Sequence, residues 1–265
     1  MTLEQIIVLA VVQGITEFLP ISSSGHLILV PNLLHWEDQG QFTDVMVHLG
    51  TLLAVLIYFW RDVSKLITGA LALFKGEVTE YGRLAIYIAL GTIPAVAFGL
   101  ALEMLDMPDL GRNVAVVAWN TILYGILMLI ADMFRPQIKT MGDMTLGAAM
   151  FIGVAQALAL IPGTSRSGAT ITAGRFLGFK RADCARFSFL LGIPAIAGAG
   201  ALKLVGAVKS GETITLDTLA CAGLTFLAGL AAIAFLMAML KRVSLLPFVL
   251  YRMALGGFLL VMLYT

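Results

Sequence analysis

Two stretches of this chain, VVQGITEFLPISSSGH (Val11–His26) and VAQALALIPGTSRSGA (Val154–Ala169), resemble each other and decide its predicted fold. The aligned pairs are Gln13 with Gln156, Pro20 with Pro162, and Ser24-Gly25 with Ser167-Gly168. The offset is 142 or 143, and HLG at 48–50 stands 142 positions before LLG at 190–192. This pattern predicts an internal duplication, with repeat 1 at about 1–134 and repeat 2 at about 143–265. Chance similarity between two helices rich in small residues is the alternative.

The composition indicates a membrane protein. The chain has 265 residues, of which 60% are hydrophobic and 12% charged, and its mean hydropathy is +0.96. A soluble domain carries about 25% charged residues, so too few are present here to cover a water-facing surface. We therefore expect a single membrane domain over residues 1–265. The net charge of +1 gives no indication of a nucleic-acid partner. Cys184 and Cys221 lie in apolar segments without paired spacing, which predicts buried, inert thiols.

Six segments are long and apolar enough to cross a bilayer, which requires about 20 residues of helix. They are residues 42–60, 83–103, 113–134, 184–207, 217–240 and 245–264. The predicted fold class is therefore an all-α polytopic membrane protein.

Two further apolar segments, 3–34 and 144–175, are interrupted near their middles by Pro20–Gly25 and Pro162–Gly168. Proline ends a helix, and lipid cannot satisfy the backbone groups that the break exposes. Both segments are predicted to be re-entrant helical hairpins, the first entering from outside and the second from the cytoplasm. Together with the duplication, they predict an inverted-topology repeat, whose broken helices meet near the membrane midplane.

The distribution of basic residues agrees with this topology. The face opposite the cytoplasmic one carries few basic residues, namely Arg112 and Lys209, with Lys203 nearby. Because excess Lys and Arg mark the cytoplasmic side, both termini are predicted to be outside. The opposite, cytoplasmic face collects Arg61, Lys65, Lys75, Arg83, Arg135, Lys139, Arg175, Lys180, Arg181, Arg186, Lys241 and Arg242.

The first break carries polar residues of a kind that is costly at membrane depth. Glu17 precedes it, and an ionisable residue there is functional by default. Ser22, Ser23 and Ser24 would stand at the N-terminus of the second hairpin arm, where free backbone N–H groups favour an anion, and His26 follows.

The second break offers the same geometry with a cation, Arg166, whose planar guanidinium suits phosphate oxygens. The hydroxyls around it are those of Thr164, Ser165, Ser167 and Thr170. The two breaks together predict a site for a phosphate ester. Three alternatives remain: the hydroxyls are ordinary helix caps, Arg166 forms only a structural pair with Glu17, and His26 is a satisfied polar residue.

These motifs resemble those of the undecaprenyl diphosphatase family, also called bacitracin-resistance proteins. The matching segments are QGITEFLPISSSGHL (Gln13–Leu27), PGTSRSGAT (Pro162–Thr170) and KRVSLLPFVLYR (Lys241–Arg252). The resemblance implies hydrolysis of undecaprenyl diphosphate to the monophosphate, which recycles the lipid carrier for cell-wall polymers. It also implies a divalent cation, Mg²⁺ or Ca²⁺, and a site open to the outer face of the bacterial cytoplasmic membrane.

The resemblance also implies roles for individual residues. Ser23 would be the nucleophile and His26 its acid/base partner, while Arg166 with Ser165 and Thr170 would bind phosphate. Glu17 would activate Ser23 or hold the metal, with Gln13 as a second metal ligand. Gln13 stands where many members have Glu, so a mechanism that needs two carboxylates is disfavoured. A covalent phosphoserine and direct attack by an oriented water both remain open.

Two other functions share features with these motifs. A lipid transporter or flippase could use the same midplane site, because inverted repeats permit alternating access. Type 2 phosphatidic acid phosphatases share the Ser24-Gly25-His26 triplet but need a second histidine after a Ser-Arg pair. No histidine follows Ser165-Arg166, which excludes that class.

Four other polar residues have less specific predictions. His48 and Asp44, one helical turn apart, are expected to hydrogen-bond each other, and His35 beside Trp36 fits an interfacial belt. Arg252 is expected to snorkel to the surface, with a structural or lipid contact as the alternative. The glycine-rich segment 196–206 leaves a homodimer open.

Overall fold

The computed structural model describes residues 2–23, 25–26, 36, 40–105, 113–209 and 215–264. The regular structure of these residues is helical, apart from one isolated bridge between Lys139 and Phe179. A short 3₁₀ helix covers Met141–Asp143. The α-helices are α1 Leu3–Thr16, α2 Gly40–Tyr58, α3 Trp60–Leu73, α4 Glu80–Met104, α5 Val114–Phe134, α6 Leu146–Leu158, α7 Arg166–Phe176, α8 Arg181–Lys209, α9 Leu216–Met239 and α10 Leu246–Tyr264.

Five of these helices, α4, α5, α8, α9 and α10, are long and apolar enough to cross a membrane. The helix pair α2 and α3 is bent by 82° and supplies a sixth candidate span. An all-helical, multi-pass membrane protein is therefore confirmed, and each predicted span coincides with a helix to within a few residues.

Helix α3 has no counterpart among the predicted elements. It turns away from α2 at Phe59 and presents Trp60, Ile67 and Leu71 to the surface, each more than half exposed. On its other side it packs against α4, where Gly69 lies too close to Gly82 to leave room for a methyl group. An exposed apolar stripe on a charged helix is typical of a helix that lies along a membrane interface.

The two short helices that precede the breaks pack in matching ways. Helix α1 lies against α9, and α6 lies against α4. In both contacts the helix backbones approach each other closely. A methyl group at Gly14 would overlap α9, and one at Gly153 would overlap Gly91 of α4. Among the other long helices, α5 packs against α10, and α2 packs against both α9 and α8.

Each of these short helices ends four residues before a proline. Helix α1 stops at Thr16 ahead of Pro20, and α6 stops at Leu158 ahead of Pro162. The helical pattern of the sequence continues to Leu19 and Ile161, so both helices end three residues earlier than that pattern predicts. The proline ring clashes with the carbonyl of the residue four positions earlier, which is where each helix ends.

A buried carboxylate ties the ends of four helices together. Asp132 on α5 accepts from Arg175 Nε at 3.1 Å, from Arg181 Nε at 2.7 Å and from the Leu245 backbone N–H at 2.9 Å. Arg175 is fully buried, and it also donates to the carbonyls of Arg135 and Phe179. This cluster lies at the end of the bundle that carries most of the basic residues, and it anchors α7 behind the second break.

Candidate active site

The structure brings the two breaks into contact. Arg166, the first residue of α7, places its Nη2 2.9 Å from Glu17 Oε1. Beside this ion pair, the Ser167 hydroxyl donates to the Leu19 carbonyl at 3.2 Å. Residues 149 positions apart in the chain therefore form one site.

The Glu17 carboxylate is the centre of this site and is almost fully buried. Its Oε2 accepts from Gln13 Nε2 at 3.0 Å and from the Ser23 hydroxyl at 3.1 Å. The Glu17 carboxylate thus holds the Ser23 hydroxyl and can act as the base that accepts its proton. This geometry places Glu17, rather than His26, next to the predicted nucleophile.

One nitrogen of the Arg166 guanidinium remains available for an anion. Its Nη1 is buried and has no hydrogen-bond partner among the described residues. The guanidinium lies against Gly192 on α8, where a methyl group would overlap it. A buried cation with an unused donor is favourable only when an anionic partner completes it.

The hydroxyls of the second break are used in part by the protein itself. Ser165, with a φ of 70°, caps α7 by accepting from the Gly168 N–H at 3.2 Å. Thr170 bonds to the Arg166 carbonyl at 2.8 Å and to the Ser188 hydroxyl at 2.6 Å. Thr164 is buried in the turn. The capping alternative therefore holds for Ser165, which shapes the N-terminus of α7.

The first break has a matching backbone conformation. Ser22 has a φ of 75°, and with Ser165 it is one of two non-glycine residues with positive φ among the described residues. This region is costly for residues other than glycine and recurs at ligand sites, where the surrounding structure enforces it. Ser22 is buried at the turn, and Ser24 lies outside the described residues.

His26 is held by two partners other than Ser23. Its Nδ1 lies 2.7 Å from the Ser22 carbonyl, and its Nε2 lies 2.5 Å from the Tyr251 hydroxyl. The imidazole and phenol rings also stack, with centroids 5.7 Å apart and planes 11° apart. Tyr251 was missed at the sequence level, although it lies in the LYR end of the third matching segment.

Arg252 does not snorkel to the surface; that prediction was wrong. Its side chain is fully buried, and it donates to the carbonyls of Thr121 at 3.0 Å, Gly163 at 3.0 Å and Pro20 at 3.4 Å. The physical reason lies in the breaks, because carbonyls released from a helix inside a membrane need donors. Arg252 supplies donors to both breaks at once.

His48 makes the predicted contact with Asp44 through the backbone, since its Nδ1 lies 2.6 Å from the Asp44 carbonyl. Its Nε2 faces Glu17 Oε2 at 3.8 Å, which was not predicted. His48 therefore belongs to the surroundings of the site. His35, the other histidine considered, lies outside the described residues. Cys184 and Cys221 are buried free thiols, as predicted.

The residues available for a metal are oxygen donors. Gln13 Oε1 is buried without a hydrogen-bond partner among the described residues, next to the Glu17 carboxylate. Those residues contain no cluster of three His, Cys, Asp or Glu side chains. A carboxylate and an amide oxygen fit a hard cation such as Mg²⁺, which commonly binds through one or two carboxylates plus substrate phosphates.

Fold and site together define a polytopic helical membrane protein in which a buried carboxylate meets a partly buried arginine and serine between two helix breaks. A model of the family described as "Bacitracin resistance protein BacA" matches residues 6–258. The chain therefore belongs to the bacitracin resistance protein family, and the resemblance seen in its motifs is confirmed.

Relatives of the chain are similar over their full lengths. Undecaprenyl-diphosphatase from Jannaschia sp. is 47% identical and covers 100% of both chains. The proteins of the same name from Erythrobacter litoralis and Maricaulis maris are each 47% identical, over 98% of this chain and 99% of theirs.

Proposed function

We propose that this protein is an undecaprenyl diphosphatase. It hydrolyses undecaprenyl diphosphate to undecaprenyl phosphate and inorganic phosphate, which returns the carrier lipid to cell-wall synthesis. The observation that carries the proposal is the joint geometry of three side chains. Glu17 holds the Ser23 hydroxyl on one oxygen and Arg166 on the other, and Arg166 Nη1 has no hydrogen-bond partner within the described part of the chain.

The proposed topology is an inverted repeat with two re-entrant hairpins, made by residues 3–34 and 144–175. Three observations support it: helices that end four residues before matching prolines, positive φ at Ser22 and Ser165, and the packing of α1 on α9 and of α6 on α4. The last pattern is what a two-fold relation would produce, because the proposed repeats pair α1 with α6 and α4 with α9. The protein then lies in the cytoplasmic membrane, with both termini and the substrate opening on the outer side.

In the proposed reaction, Ser23 Oγ attacks the terminal phosphorus, and its proton passes to Glu17 Oε2. The Oγ–P bond forms while the bond from phosphorus to the bridging oxygen breaks, and that electron pair leaves with undecaprenyl phosphate. Arg166 and the N–H groups of the first turn of α7 stabilise the charge on the phosphoryl oxygens. Water then releases inorganic phosphate from Ser23, and Oγ regains a proton.

A divalent cation, Mg²⁺ or Ca²⁺, would be held by Gln13 Oε1 and Glu17 together with the diphosphate. When bound, it would offset the negative charge of the substrate as a Lewis acid. The remaining predicted phosphate contacts, Ser22, Ser24 and Thr164, would border the headgroup.

The decisive experiment is phosphate release from undecaprenyl diphosphate by the purified protein in mixed micelles. We expect turnover that EDTA abolishes and that added Mg²⁺ or Ca²⁺ restores. Absence of phosphate release under all these conditions would refute the proposal. The same assay tests the transporter alternative, because a protein that is only a transporter would release no phosphate. Its exchange of lipid between vesicles would also be unchanged by Ser23→Ala, whereas a phosphatase should lose phosphate release in that variant.

A further inference from the structure

We propose that Tyr251 is a further catalytic residue, whose hydroxyl carries the proton between the attacking water and His26. This inference rests on the proposed function and names a residue to which the family resemblance assigns no role. It begins from the 2.5 Å contact between Tyr251 Oη and His26 Nε2.

The hydrogen bonds of the His26 ring determine which nitrogen carries its proton. A carbonyl can only accept, so the 2.7 Å contact with the Ser22 carbonyl requires a proton on Nδ1. In the neutral ring Nε2 is therefore unprotonated, and it accepts a hydrogen bond from the Tyr251 hydroxyl. The stacked arrangement of the two rings holds this bond in line.

The burial and the hydrogen bonds of the two residues determine how a reactant can exchange a proton with the imidazole. His26 is buried, with 9% of its surface exposed, and both ring nitrogens are occupied. Tyr251 is 42% exposed. Because both imidazole nitrogens are occupied, a reactant can exchange a proton with the ring only through the phenol hydroxyl.

The relay is balanced in protons. As water attacks the phosphorus bound to Ser23 Oγ, it gives one proton to Tyr251 Oη. The original Oη proton moves to His26 Nε2, so two O–H bonds break, one in water and one in Tyr251, while a new Oη–H bond and an Nε2–H bond form. The new P–O bond replaces the Oγ–P bond. Reversal of the relay returns the proton to the departing phosphate, and the neutral ring is restored.

A double-mutant cycle on the full-length protein tests the relay. Tyr251→Phe keeps the ring stack and removes only the hydroxyl, and His26→Asn removes the proton acceptor. Positioned proton transfer contributes about 10² to 10⁴ in rate, so each variant should lower kcat by about 10²-fold with KM changed less than about twofold. The double variant should lose no more than either single one, because the two residues act as a unit.

The matched control is Tyr264→Phe, at the exposed end of the same helix, which should retain wild-type turnover. Fluorinated tyrosines incorporated at position 251 change the acidity of the phenol. If Tyr251 transfers a proton, kcat should change with that acidity, whereas a purely structural role predicts no such dependence. Losses that multiply in the double variant, a change in KM alone, or a kcat independent of fluorination would each overturn the relay. Wild-type protein that releases no phosphate would instead refute the proposed function itself.

Discussion

Arg166 and Glu17 form an ion pair of 2.9 Å between two helix breaks that are 149 residues apart in the chain. Both side chains are largely buried, so the pair holds the breaks together. It also leaves Arg166 Nη1 without a hydrogen-bond partner among the described residues, while the same carboxylate accepts from the Ser23 hydroxyl. The structural and the functional interpretations of Arg166 are therefore compatible, because the contact that joins the two breaks also orients the guanidinium proposed to bind phosphate.

Gly192→Ala should impair catalysis without touching any reacting group. A methyl group at this position would occupy the space of the Arg166 guanidinium, which must then leave Glu17. We expect kcat to fall by at least about 100-fold, since removal of one donor from a charge-stabilising site costs about 10²–10³. The measurement is phosphate release by the purified variant.

The matched control is Gly198→Ala on the same helix, where an added methyl group meets nothing within 4 Å. It should keep wild-type turnover and gain slightly in thermal stability, because alanine is favoured over glycine in a helix. Equal activity of the two variants would show that the guanidinium does not need its observed position.

Glu17→Gln should remove the base that accepts the Ser23 proton and leave Arg166 without its counter-charge. We expect phosphate release to fall by about 10³-fold, together with a lower melting temperature, because a buried unpaired cation is costly. Glu4→Gln, on the exposed first turn of α1, is the control and should change neither quantity. Turnover in Glu17→Gln close to that of wild type would rule out Glu17 as the base.

Arg252→Lys should destabilise the protein even though the charge is retained. An ammonium group cannot reach the carbonyls of α5 and of both breaks in the planar geometry of the guanidinium. With each charged hydrogen bond worth about 1.5–3 kcal/mol, the loss should be about 3 kcal/mol or more. Thermal unfolding in detergent measures it, with the exposed Arg242→Lys as the control. Equal melting temperatures would contradict the bridging role.

Asp132→Ala should release the cluster that anchors α7. Removing the carboxylate leaves the buried Arg175 and the partly buried Arg181 unpaired, and breaking a buried pair costs about 3–5 kcal/mol. We expect a lower melting temperature and poor folding yield. Asp143→Ala in the exposed 3₁₀ turn is the comparison and should have little effect. A similar response of both variants would mean that the Asp132 cluster carries no stability.

Much of the fold follows from local sequence. The spans are visible because lipid exposure requires long apolar runs, and Pro20 and Pro162 mark the breaks because proline ends a helix wherever it lies. Glu17 and Arg166 could be selected because ionisable groups are rare at membrane depth.

The contacts that were missed depend on how helices rotate and pack. Tyr251 and His48 reach the site only through the arrangement of α10 and α2, and Arg252 is buried because carbonyls of two distant segments converge on it. Helix α3 was not predicted because its exposed apolar stripe is interrupted by charges and does not form a span. None of these features has a signature in residue spacing alone.

Phosphate release by purified Arg166→Ala tests most directly whether both breaks close around one diphosphate headgroup. We expect this variant to retain its helical content and to lose turnover of undecaprenyl diphosphate by at least about 10³-fold. Turnover at the wild-type rate in folded Arg166→Ala would contradict the account.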